Sequence, residues 1–237
     1  MSIKEKKTHM YEDAKTWNPF RGCKFDCIYC GPTFKRQAKR QKHLCDLCSS
    51  FKPHTHEERL DKLPREPIIF VCGVGDLAFC EKPYLNKIID SVVKHDMKHN
   101  NHKYYFQSKR PNCFEPFLKS FSENCILVTT LETNRDDDYG KISKAPVPTV
   151  RYKQFKDLDY SRKIITIEPV MDFDHDIFLK MILDVNPELV YIGYNSKPKN
   201  VNLPEPSKEK LAEFIDALKM NNIQVKEKDL RGISSNC

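Results

Sequence analysis

The stretch Ile68-Ile69-Phe70-Val71-Cys72-Gly73-Val74-Gly75-Asp76 decides how the chain is read. Five apolar residues in succession suit a strand buried on both faces, since a strand with one wet face would alternate. The glycines then turn the chain, and Asp76 places a polar group just past the strand end. The same pattern recurs outward. Residues 103–107, 125–130, 164–168, 189–193 and 223–226 read as further short strands. Helical stripes lie between them: Leu85, Ile88, Ile89, Val92, Val93 and Met97 in one, and Phe114, Phe117, Leu118 and Phe121 in the next. Two more follow, on Ile177, Phe178, Met181 and Ile182, and on Leu211, Phe214, Ile215 and Leu218. Apolar residues at this spacing share one helix face. Residues 135–163 carry Asp136, Asp137, Asp138, Pro146 and Pro148 and few periodic signals, so they break the rhythm. Alternating strands and helices imply crossovers and a parallel sheet. The expected class is α/β, a partial (β/α)6-type parallel barrel. Residues 1–237 read as a single domain, with 31–65 as a basic insertion containing Cys and His.

Composition narrows the function. The chain has 237 residues with 39% hydrophobic content, enough for a buried core, and only 7 glycines, which disfavours a glycine-rich phosphate cradle. No apolar run approaches the ~20 residues that cross a bilayer. The first ten residues are charged and lack an apolar signal region, so a cytoplasmic protein with no membrane partner is expected. Net charge is +7, and nine basic against four acidic residues between 31 and 65 supply most of it. Such a field attracts phosphates, which makes DNA or RNA a candidate partner, although a solvated face carries similar runs.

Of 10 cysteines, five fall between residues 23 and 48. In a reducing compartment clustered cysteines read as metal ligands. Cys72, Cys80, Cys113, Cys125 and Cys237 are scattered and read as packing residues. Cys23-Lys24-Phe25-Asp26-Cys27-Ile28-Tyr29-Cys30 has C-x3-C-x2-C spacing. Three thiolates on one loop suit a cubane iron–sulfur cluster and leave one iron open, while zinc is the competing reading.

This stretch resembles the cluster motif of the radical SAM superfamily, C-x3-C-x-aromatic-C, with Tyr29 at the aromatic position. Thr16-Trp17-Asn18-Pro19-Phe20 followed by Gly22-Cys23 is similar to an uncharacterised phage-associated branch, and there is a looser similarity to spore photoproduct lyase. The resemblance implies a [4Fe-4S] cluster on Cys23, Cys27 and Cys30, S-adenosylmethionine as cofactor, and an electron donor such as flavodoxin or ferredoxin. It implies that Tyr29 lies near adenine. Gly73, Gly75 and Asp76 resemble the Gly-Gly-Glu segment that meets the cofactor's amino group, with an inserted Val74 and Asp for Glu. Glu132 matches the ribose-binding carboxylate, with Thr130 beside it. Reactive groups in open α/β sheets cluster at the carboxyl ends of strands. Lys109, flanked by Ser108 and Arg110, is therefore a candidate for a cofactor carboxylate or substrate phosphate. Glu168 at its strand end reads as part of a polar, cofactor-binding site, since an unpaired carboxylate there is costly, and Tyr194 or Asn195 could contact adenine or substrate.

His43, Cys45, Cys48, His54 and His56 form a second group. Cys45, Cys48, His54 and His56 suit a Cys2His2 zinc site, with a second cluster or plain packing as alternatives. Three functions follow from these residues: a radical SAM enzyme, a zinc-bound nucleic-acid-binding protein, or an iron–sulfur protein that does not cleave the cofactor.

Overall fold

A computed structural model gives the structure and describes residues 11, 14–30, 38–40, 42–43, 45–99, 101–196, 198–228 and 230–231. Lys35, Arg36, Leu44 and Cys237 lie outside the described residues. Seven parallel strands run in spatial order along one sheet: β1 (Ala14–Trp17), β4 (Ile68–Val71), β5 (Lys103–Gln107), β6 (Cys125–Thr130), β7 (Lys163–Ile167), β8 (Leu189–Ile192) and β9 (Val225–Glu227). The sheet curls into a partial α/β barrel. Two further strands, β2 (Phe20–Arg21) and β3 (His54–Thr55), pair antiparallel beside its mouth. The short helix α1 (Asp46–Ser50) lies between them in the chain.

The two faces of the strands take different partners. Ile69 and Val71, Tyr104 and Phe106, Ile165 and Ile167, and Val190 and Ile192 pack outward in one large core. Over them lie α2 (Lys82–Asp96), α3 (Pro148–Asp157), α4 (His175–Val185) and α5 (Lys208–Met220), contributing Ile88, Phe155, Phe178 and Phe214. The alternate residues Tyr105, Ile126, Val128, Ile164 and Tyr191 point inward and gather around Tyr11. Tyr11 meets the rings of Phe70, Tyr105 and Tyr191 edge-on at 4.9–5.1 Å. Each of these buried side chains contributes roughly 1.5–3 kcal/mol by leaving water.

Three elements differ from the periodicity. Strand β1 carries exposed Lys15 and Thr16 and one buried anchor, Trp17, because it lies at the sheet edge and packs little of itself. The stripe on Phe114 and Phe117 forms a 3-10 run, Pro111–Ser120, in place of an α-helix. Pro116 lies inside it and cannot supply an α-helical hydrogen bond, while i and i+3 residues of a 3-10 turn share a face. Helix α3 forms within the segment expected to be irregular. Its inward positions are Arg151 and Phe155, so a charged residue fills a place where an aliphatic would have shown the period.

The mouth is fixed by glycines. Gly22 has φ +95°, and a Cβ there would lie 2.2 Å from the Lys52 carbonyl oxygen. Its amide donates to Val74 O at 3.0 Å, and its carbonyl accepts from Asp76 N at 3.1 Å. A Cβ on Gly75 would come within 2.8 Å of Gly22 O, so both positions require close backbone approach. Gly22→Ala should therefore lower stability by more than about 2 kcal/mol, combining the left-handed penalty with a backbone collision. A urea midpoint unchanged from the parent protein would refute this.

Candidate active site and a second ligand group

Because the sheet is parallel, the carboxyl ends of its strands share one edge, and the cysteine loop lies across that edge. The loop is braced on several sides. Cys23 N donates to Phe51 O at 3.3 Å, Ile28 N to Ile142 O at 2.9 Å, and Lys144 N to Phe25 O at 2.7 Å. The Phe25 ring is buried against Phe79 at 4.6 Å.

A cavity of about 970 Å³ opens between loop and sheet. Its wall contains Cys23, Cys27, Cys30 and Tyr29 from the loop. From the strand ends it contains Gly73, Gly75, Asp76, Lys109, Thr130 and Glu168. Lys15, Thr16, Gln107 and Lys144 also line it; Thr16 opens the Thr-Trp-Asn-Pro-Phe stretch, while no local sequence pattern marks the other three as site residues.

The electrostatics centre on Glu132, whose side chain is 0% exposed. Its carboxylate accepts from Lys109 Nζ at 2.5 Å, Arg151 Nη2 at 2.6 Å and Tyr139 OH at 3.1 Å. The Tyr29 hydroxyl also donates to it. Burial pushes the Glu132 carboxyl up, but Arg151 and Lys109 outweigh burial and hold it well below the carboxylate range. Burial pulls Lys109 down, yet Glu132 and Tyr139 more than compensate, so the ammonium stays charged. Lys109 Nζ also lies 5.3 Å from the centre of the Tyr29 ring. Arg151 is wholly buried and donates to Thr130 O at 2.5 Å and Tyr139 OH at 2.8 Å.

The thiols respond to this field. Cys27 is brought down to about 6, chiefly by the hydrogen bond from Cys30; burial opposes this, and Lys109 and Ser143 assist. Cys30 rises in turn, with that same hydrogen bond and burial as causes. Burial and Asp76 push Cys23 up to about 12. Ser143 Oγ lies 3.0 Å from Cys27 Sγ, a contact from the segment read as irregular.

The other strand-end residues have these surroundings. Glu132 is not on the cavity wall, and its oxygens bond two cations and two phenols. Tyr194 is also off the wall. Its hydroxyl donates to Pro206 O at 3.2 Å, and Asn195 Nδ2 donates to Val201 O at 2.8 Å, because residues 201–206 take up both polar groups. Asp76 lies on the wall but accepts from Ser108 Oγ at 2.7 Å, Lys109 N at 2.9 Å and Ala78 N at 3.0 Å. Burial raises its carboxyl, and those bonds only partly offset the rise. Glu168 meets Lys228 Nζ at 2.9 Å through both oxygens.

The second ligand group forms separately. The ligand atoms of Cys45, Cys48, His54 and His56 all lie within 4.8 Å of one another. None of the first three cysteines belongs to it. In the basic segment Lys39, Arg40, Lys42 and Lys52 are exposed, whereas Arg59 donates to Asn18 O at 3.2 Å. Among the described residues no helix is long and apolar enough to cross a membrane.

Arg151→Ala should cost roughly 3–5 kcal/mol, because it leaves a buried carboxylate short of its strongest partner. The linkage has a definite sign. A carboxyl depressed by folding contributes stability that is fully present above its unfolded value near ~4.3 and is lost as pH falls below it. Thermal melts from pH 7 to pH 3 should show that loss in the parent and a shallower fall in Glu132→Gln. Parallel pH curves for the two proteins would contradict the network.

No protein-family model matches the sequence, and comparison with curated proteins finds no match. Solved structures do resemble it. Streptococcus suis SuiB bound to precursor peptide SuiA superposes with TM-score 0.55 and 9% identity, over 92% of this chain and 48% of that one. Hexahistidine-tagged anSMEcpe with bound AdoMet gives 0.53 and 12% identity, over 90% of this chain and 63% of that one. Native anSMEcpe with bound AdoMet and Kp18Cys peptide gives 0.50 at the same identity and coverage. The chain thus spans between about half and under two thirds of these proteins' length. What it shares with these radical SAM enzymes is the fold.

Proposed function

We propose that the chain is a radical SAM enzyme, with Cys23, Cys27 and Cys30 holding a [4Fe-4S] cluster and the adjoining cavity taking S-adenosylmethionine. The observation that carries this reading is the shared wall: three thiols of one loop and the polar ends of successive strands line the same space. The donor set fits the group, since Cys27 is biased toward thiolate and a buried ammonium stands nearby. A cluster held by these residues would supply the one electron, drawn from an external reductant, that breaks the C5′–S bond of S-adenosylmethionine to give methionine and a 5′-deoxyadenosyl radical. A flavodoxin or ferredoxin is the class of donor that suits such a cluster.

The chain's own residues bind and orient. Tyr29, with its hydroxyl tied to Glu132, presents a fixed ring to the cavity. Thr130 Oγ1 accepts from Gln107 Nε2 at 3.0 Å, so these two form a polar ledge suited to sugar hydroxyls. Glu168 offers a carboxylate on the same wall, and Gly73 and Gly75 also line it, their missing side chains leaving room for Phe70 and Gly22. Lys109 keeps positive charge near the thiolates and Glu132 keeps Lys109 in place, which makes Glu132 a positioning residue in this reading. The stretch 16–20 with Gly22-Cys23 supports, on motif grounds alone, a kinship with the phage-associated branch as part of this proposal.

For the substrate we favour a nucleic acid, supported by the exposed cations Lys39, Arg40, Lys42 and Lys52 and by Lys15 and Lys144 on the cavity wall. A peptide is the second reading, favoured by the peptides bound to SuiB and anSMEcpe. Anaerobically purified protein should be brown and, with dithionite and S-adenosylmethionine, should release 5′-deoxyadenosine. Cys27→Ala should lose both properties while keeping a folded circular-dichroism spectrum. Colourless protein that leaves the cofactor intact after iron–sulfide reconstitution would refute the assignment. Binding to single-stranded DNA or RNA that weakens steeply with salt supports the first substrate class, and its absence favours peptide.

A further inference from the structure

The group at Cys45, Cys48, His54 and His56 has a geometry that its own hydrogen bonds do not explain. His54 Nδ1 lies 2.7 Å from Lys52 O, and His56 Nδ1 lies 2.9 Å from Glu58 Oε1. A carbonyl and a carboxylate only accept, so in both rings the proton sits on Nδ1 and the Nε2 lone pair is left to point away. Those two Nε2 atoms point at each other, 2.9 Å apart. Both also face the sulfur of Cys48, at 3.2 Å and 3.3 Å. Three electron-rich atoms so close repel unless a cation lies among them. A histidine that donates its far N–H to a carbonyl or carboxylate is the arrangement that orients imidazole toward a metal.

We propose that Cys45, Cys48, His54 and His56 bind one zinc ion. Zinc with bonds of about 2.3 Å to sulfur and 2.0–2.1 Å to nitrogen sets its tetrahedral ligands roughly 3.3–3.8 Å apart; the Cys48 sulfur and the two Nε2 atoms lie slightly closer than that, at 2.9–3.3 Å, and all four ligand atoms lie within 4.8 Å. A two-iron cluster with Cys2His2 ligation puts both histidines on one iron and both cysteines on the other. Here the Cys48 sulfur meets both histidines at once, which one ion satisfies and two irons do not. Four protein ligands close the coordination sphere, so the zinc is structural. Two thiolates neutralise its charge, and the buried Arg21 guanidinium lies beside them.

The site's location gives it a task. Cys48 belongs to α1, with Cys45 as its N-cap, and His54 lies in β3 opposite Arg21 of β2. The next residues after Arg21 are Gly22 and Cys23. The zinc therefore ties α1 and β3 to the strand that delivers Cys23, and Ser50 and Phe51 carry the tie to the cavity wall. The zinc assignment does not depend on what Cys23, Cys27 and Cys30 bind.

Metal analysis of protein expressed with zinc and purified anaerobically tests it. About one equivalent of zinc should remain in the parent protein and in Cys27→Ala, and should fall at least fivefold in Cys48→Ser and His54→Ala. Should those two variants fail to fold, Co²⁺ added to zinc-stripped parent protein and Cys27→Ala keeps the test open. Both should then show the intense visible bands of a tetrahedral thiolate site, saturating at one cobalt per chain. Zinc-free parent protein that takes up no cobalt, zinc retained in folded Cys48→Ser and His54→Ala, or loss of the metal in Cys27→Ala would each overturn the proposal.

Discussion

A single buried carboxylate holds the mouth of this barrel together. Glu132 leaves strand β6 with no exposed side-chain surface, and a charge so placed is tolerated only when paired and hydrogen-bonded. Satisfying it recruits Lys109 from the end of β5, Arg151 from α3, Tyr139 from the intervening segment and Tyr29 from the cysteine loop. Four separate parts of the chain therefore converge on one group. The loop that presents the thiols is thereby registered against the sheet, and the two cations leave one net positive charge close to the cysteines.

That charge balance shapes the chemistry the cavity can support. Thiolates that ligate metal must lose their protons; the hydrogen bond from Cys30, with help from Lys109, favours the anionic form of Cys27 against burial, while that same bond and burial push Cys30 up. The loop is also held mechanically. Gly22 and Gly75 bridge it to the end of β4, Phe51 receives the Cys23 amide, and residues 142–144 receive or donate on its far side. The segment from 45 to 56 meets the loop through that same contact, which links the second ligand group to the first through a few residues of backbone.

Much of this was legible in the sequence, and physics explains which parts. Strands β4 to β8 were visible because burial on both faces leaves unbroken apolar runs, and α2, α4 and α5 because one face of each is greasy. Strand β1 was hidden by Lys15 and Thr16, which an edge position allows. Helix α3 was hidden by Arg151, whose burial makes sense only with Glu132 across the chain. The three thiols and some of the strand-end residues, Gly73, Gly75, Asp76, Lys109, Thr130 and Glu168, line one cavity. A strand-end position gives the edge but not the direction of the side chain, and the side chains of Glu132 and Tyr194 lie off the cavity wall. Ser143, Gln107 and Lys144 carried no local pattern to find, since long-range pairing alone brings them to the site.

The proposed [4Fe-4S] cluster would hold an open iron facing the cavity. Electron paramagnetic resonance of the dithionite-reduced, reconstituted protein addresses this directly, with and without S-adenosylmethionine. The account predicts a [4Fe-4S]⁺ signal that is absent in Cys27→Ala and whose g values shift when the cofactor is added. A spectrum indifferent to the cofactor, or a signal that survives in Cys27→Ala, would contradict it.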